Sequence, residues 1–133
     1  MFPRIDGLRG LEFGSPGQMR EWLTDLVVDG RKRATFGLLA YDYVSENESV
    51  ETVGEILVVL DNDGREACRV RVTEVRQVCF GEVTWEMVAR EGEGDEDLAA
   101  WRQGHLDFWK QSLGIDVSED ESVVWVAFEL ANP

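Results

Sequence analysis

The chain of 133 residues is poor in the side chains that hold soft metals. It has one histidine, His105, and two cysteines, Cys68 and Cys79, with no Cys-x-x-Cys pair. That excludes a zinc finger or zinc ribbon and fits two reduced, buried thiols. It also lacks a long apolar run. Nothing approaches the roughly 20 apolar residues of a membrane span, and the N-terminus, MFPRIDGLRGLEFGSPG, carries no signal-peptide core. A cytoplasmic protein that does not enter a membrane is expected.

Positive charge is scarce as well, with 13 Lys/Arg against 27 Asp/Glu and a formal net charge of -14. The imbalance is uneven. Residues 1–81 hold 10 basic and 14 acidic side chains, whereas residues 82–133 hold 3 and 13. Sequence-independent binding of nucleic acid depends on several Lys/Arg–phosphate contacts, so tight, broad binding to a long polyanion is disfavoured. A small neutral or singly charged ligand meets less repulsion. No nucleophile elbow, dinucleotide fingerprint or phosphate-binding loop is present.

What is there suits one folded domain over 1–133. Five Trp and six Phe supply a core. Ser15-Pro16-Gly17-Gln18 reads as a helix start, with Ser15 as N-cap, Pro16 at the first helical position and Gln18 completing a capping box. Met19, Trp22, Leu23, Leu26 and Val27 recur at helical spacing, so an N-terminal helix is expected over about 15–28, stopped by Gly30. A strand is expected from Ala34 to Tyr43, a polar excursion over 44–53 and a short apolar strand over 55–60. Asp61-Asn62-Asp63-Gly64 is a hairpin turn. Residues 65–79 then alternate, with Cys68, Val70 and Val72 inward and Arg69, Arg71 and Arg76 outward. A short helix over 84–90, a second from about 95 to 113 capped by Asp95, and a strand over 122–130 complete the order. His105 reads as a partly buried helix residue. The fold class is α+β, with a small mixed or barrel-like sheet.

Two local features stand out. One is Gly30-Arg31-Lys32-Arg33-Ala34-Thr35, a basic island in an acidic chain. The other is Arg90-Glu91-Gly92-Glu93-Gly94-Asp95, running on to Trp101 and His105. Together with Val53-Gly54-Glu55, the strand VVLDNDG, the Arg/Val-rich strand after it and Phe80-Gly81-Glu82-Val83-Thr84, they occur in an order that resembles the ASCH domain family, relatives in fold of the PUA domains of RNA-modifying enzymes. The resemblance covers a core of about 28–130. It implies a small PUA-like mixed β-barrel flanked by helices, with a cleft where the two features meet, and work on RNA or nucleosides.

Some members of the family are metal-dependent ribonucleases. A shorter branch are amidohydrolases that remove an acyl group from the exocyclic amine of cytidine, using a lysine, a threonine three residues later and a distant glutamate. By position these are Lys32, Thr35 and Glu91, with Glu93 nearby. A neutral lysine can take a proton from a threonine hydroxyl, and like-charge repulsion from Arg31 and Arg33 would favour that form. A carboxylate can relay a proton to the leaving amine. Tyr41, Tyr43 and Trp101 are the candidates to stack on a base, and Arg31, Arg33 and Glu93 are further candidates to line the ligand. The expected partner is a nucleoside or a short single-stranded RNA. No cofactor is expected, except a divalent metal if the chain is instead a ribonuclease with Arg69, Arg71 and Arg76 as its basic groove. A non-catalytic module that recognises a base or nucleotide is the third reading. The oligomeric state is open.

Overall fold

A computed structural model of the chain describes residues 1–131, so the last two residues of the expected 1–133 domain lie outside the described residues. Six strands form one sheet: β1 (Arg4–Ile5), β2 (Leu8–Leu11), β3 (Ala34–Leu38), β4 (Ile56–Leu60), β5 (Glu66–Cys79) and β6 (Ser122–Leu130), in the order β1-β2-β4-β5-β6-β3. All pairs are antiparallel except β2 with β4. The fold is α+β with a mixed sheet, as expected. The expected barrel does not close: the sheet is open, with β1 and β3 as its two edges, unpaired with each other among the described residues.

Three helices cover the sheet, α1 (Gln18–Val28), α2 (Trp85–Ala89) and α3 (Leu98–Leu113). Strand β6, between β5 and the edge strand β3, explains how. Its sequence, SVVWVAFEL, reads as a nearly continuous apolar run, and six consecutive residues are buried, as expected when both faces of a strand are covered. Val124, Val126 and Phe128 join Leu57, Val59, Val70 and Val72 under Leu23, Leu26 and Val27 of α1. The alternate residues face the opposite layer. Val123 packs with Val88, Trp101 and Trp109, and Trp125 and Ala127 pack with Met87 of α2. β3 therefore lies beside the strand that both helical layers share, and the loop entering β3 sits between those layers.

Several local expectations shift. Ser15 does not cap α1 and Pro16 is not its first residue. Gly17 holds the cap position at φ 107°, where glycine is favoured. Asn62 in the hairpin turn accepts from the Gly17 N–H and donates to its carbonyl, both at 2.8 Å, and this clasp leaves Ser15-Pro16 in a preceding turn. The expected strand over 34–43 stops at Leu38. The Asp42 carboxylate takes the Leu38 N–H at 2.7 Å, a side chain competing with the strand ladder, and Leu39–Val44 form a π-helical turn instead. α3 is capped by Asp97, whose Oδ1 accepts from the Ala100 N–H at 2.8 Å, and not by Asp95. Thr84 caps α2, and the hairpin turn at 61–64 forms as read. Residues 4–11 add the strand pair β1–β2, which extends the sheet beyond β4 and which no periodicity announced. Cys68 and Cys79 are free thiols and only half-buried.

Candidate functional site

The loop from α1 to β3 runs beside the loop from α2 to α3. Backbone contact fixes their approach. The Arg33 N–H donates to the Arg90 carbonyl at 2.8 Å. Gly92, at φ 64°, lies so close that a Cβ there would stand 2.1 Å from the Arg31 carbonyl oxygen. Only glycine permits that approach. As the chain extends from the helix, Arg31, Lys32 and Arg33 alternate in direction. Arg31 and Arg33 are exposed, while Lys32 is 2% exposed and points inward.

The Lys32 ammonium uses all three protons. It donates to the Ala34 carbonyl at 2.8 Å, to Glu93 Oε2 at 2.6 Å and to Glu91 Oε2 at 3.3 Å. The Phe13 ring lies 5.4 Å from the ammonium and adds a cation–π contact. Two of the three groups that hold Lys32 are thus carboxylates. Arg31 instead reaches Asp29, and the Arg33 Nε donates to the Gly30 carbonyl.

Glu91 is 2% exposed. Its Oε1 accepts from the Trp101 indole N–H at 2.7 Å. Burial raises its carboxyl far above the usual carboxylate range, to about 8, with the neighbouring Glu93 adding to the shift against the pull of Lys32. Burial also opposes ionisation of Glu93, but there the Lys32 ammonium prevails and holds its carboxyl below the ordinary value. The physical content is a division of labour. Two carboxyls and one ammonium share a largely buried site, Glu91 keeps a proton, and Glu93 carries the negative charge.

These groups wall a cavity of about 270 Å³, which Thr35, Phe36, Asp95 and His105 also line. Lys32, Thr35, Glu91 and Glu93 therefore meet at one cavity. Trp101 is fully buried. Stacked on Phe80 and packed against Phe36 and His105, it supports the site from behind through its bond to Glu91. It offers no face to a ligand. Tyr43 is also in the core, with its hydroxyl donating to Glu51 at 2.8 Å, and exposed Tyr41 lies outside the cavity lining. The reading of Trp101, Tyr41 and Tyr43 as stacking residues is corrected on this point. The aromatic surface at the cavity comes from Phe13, Trp22, Phe36, Phe108 and Trp109. Trp22 belongs by spacing to the expected core stripe of α1, yet it is 47% exposed. The only signal in the sequence is its place on the helix that leads to the basic island.

The arginines of β5 do not form a free cationic groove. Arg69 pairs with Asp6 and Glu66, Arg71 with Glu129 and Arg76 with Glu74. Among the described residues no group of three or more His, Cys, Asp or Glu side chains is placed to hold a metal ion, and Glu91 and Glu93 turn their oxygens to Lys32 and Trp101. No described helix is long and apolar enough to cross a membrane.

The ASCH domain family model matches residues 10–132. The chain belongs to the ASCH domain family. The ASCH domain of Lactobacillus crispatus JV V101 is similar at 31% identity, covering 91% of this chain and 77% of that one, with a TM-score of 0.77. A protein of Enterococcus faecalis V583 is similar at 28% identity, covering 92% and 75%, with a TM-score of 0.80. An ASCH protein variant from Zymomonas mobilis shares the fold alone, at 10% identity, 90% and 66% coverage and a TM-score of 0.53. No curated protein matches the chain. Membership of the ASCH domain family supports a PUA-like, RNA-binding module.

Proposed function

We propose that this ASCH domain binds a modified nucleoside in the cavity beside Lys32 and hydrolyses an acyl amide on its exocyclic amine. The observation that carries the reading is the buried Lys32 ammonium, held by Glu91 and Glu93 on the wall of a cavity that Thr35 shares. The cavity volume of about 270 Å³ suits a ligand of nucleoside size better than a polymer, and the net charge of -14 argues in the same direction.

The proton inventory makes the chemistry feasible. A ligand that expels water favours the neutral form of the Lys32–Glu93 pair, because a charged pair loses hydration there. Transfer of one proton from Nζ to Glu93 along the 2.6 Å bond leaves the net charge unchanged. Neutral Lys32 then takes the Thr35 hydroxyl proton as the Thr35 oxygen attacks the acyl carbon. Glu91, which keeps its proton at neutral pH, gives it to the departing amine nitrogen as the C–N bond breaks. The products of this half are an acyl ester on Thr35 and the free amine. Water completes the hydrolysis.

The test is incubation with acetylated cytidine while following release of cytidine. Turnover by the wild type and its loss in Lys32→Ala and Thr35→Val support the reading. No turnover by the wild type, or full turnover in Lys32→Ala, overturns it.

A further inference from the structure

Resting on that reading, we infer that His105 is the general base that activates water in the second half of the reaction, when the Thr35 ester is hydrolysed. His105 projects from α3 and lines the cavity with Lys32, Thr35 and Glu91. Its ring is clamped by Trp101 at 4.4 Å between centroids, by Trp109 at 5.4 Å and by Phe36 at 6.2 Å. Nδ1 lies 3.1 Å from the Trp101 carbonyl oxygen. A carbonyl only accepts, so Nδ1 carries the hydrogen and, in the neutral ring, Nε2 presents a lone pair. Nε2 stands 3.9 Å from Glu91 Oε1, which places that lone pair beside the group that protonates the leaving amine.

The charged groups around the ring are Glu93 and Asp95, which favour the imidazolium, and Lys32, which opposes it, with Glu91 protonated at neutral pH. Burial outweighs the two acids and holds the imidazole below its ordinary value, so the ring is a neutral base at pH 7. Glu91, having lost its proton in the first half, stays beside Nε2 and can stabilise the imidazolium as it forms. In the step itself, a water proton passes to Nε2 while the water oxygen bonds to the acyl carbon. The C–O bond to Thr35 then breaks, the Thr35 oxygen takes the proton back from Nε2, and the free acid leaves.

Two variants test this. His105→Asn keeps an N–H near the Nδ1 position for the Trp101 carbonyl, and His105→Gln places an amide near Nε2; neither is a base. With acetylated cytidine, both are expected to release one equivalent of cytidine and then slow about 10²-fold or more, with an acetyl group found on the Thr35 peptide by mass spectrometry. Because the chain has a single histidine, its ¹⁵N resonances report the tautomer directly, and a neutral Nδ1–H form titrating below about 6.5 is expected. Full steady-state turnover in both folded variants while the wild type is active overturns the role of His105 alone, as does a neutral ring found in the Nε2–H tautomer. Absence of turnover in the wild type removes the underlying reading and the role of His105 with it.

Discussion

Replacing Lys32 by Met removes a buried ammonium while keeping most of its apolar stem, and its cost should depend strongly on pH. Lys32 is 2% exposed, and its main partner, Glu93 Oε2, lies 2.6 Å away. Removing one member of a buried pair costs about 3–5 kcal/mol when the other charge is left unpaired. Glu93 has an escape, because it can bind a proton and stay neutral. From an unfolded carboxyl near 4.3, that uptake costs about 1.36 kcal/mol per pH unit, hence about 4 kcal/mol at pH 7 and about 1 kcal/mol at pH 5. Wild-type Glu93 titrates below the ordinary value, so the stability that its ionised form contributes is present above the unfolded value and is lost as pH falls. The variant lacks that contribution. The lost hydrogen bond to the Ala34 carbonyl adds about 1 kcal/mol at either pH. Urea unfolding of both proteins at pH 5 and pH 7 should show a gap that widens by about 2–3 kcal/mol between them. An equal gap at the two pH values would refute the view that Glu93 carries the negative charge of the site.

Two further substitutions separate the frame of the site from its mouth. Gly92→Ala places a methyl group against the Arg31 carbonyl at a positive φ, and is expected to cost at least about 2 kcal/mol. It should also weaken ligand binding, because Glu91 and Glu93 flank the displaced residue; a melting temperature equal to wild type would contradict the close approach. Trp22→Ala removes an exposed side chain at the cavity. Its unfolding free energy should change by no more than about 0.5 kcal/mol, while KM for the nucleoside rises about tenfold, within the range of one lost base-stacking contact. An unchanged KM would remove Trp22 from the ligand site.

The amino-acid sequence by itself determined the local elements and the chemistry-bearing spacing. The alternation of 65–79, the apolar run of 122–130 and the helical recurrence from Met19 to Val27 each express a backbone geometry that buries one face or two. Lys32-x-x-Thr35 and Glu91 were legible as candidates because a family pattern preserves their order, and the structure brings them to one cavity. Side-chain direction was not legible in the same way. Arg31, Lys32 and Arg33 are chemically alike in sequence, and only the extended backbone between α1 and β3 decides that the middle one is buried. Trp101 and Tyr43 looked available to a ligand, yet packing places both in the core, where an indole N–H and a phenol each satisfy a buried acid. The capping residue of α1 was decided by Asn62, 45 residues away, and the cap of α3 by where the loop after Gly94 ends. Tertiary structure also assigned the proton between Glu91 and Glu93. Two glutamates two residues apart have the same intrinsic acidity, and it is the depth of burial of one and the hold of Lys32 on the other that sets them apart.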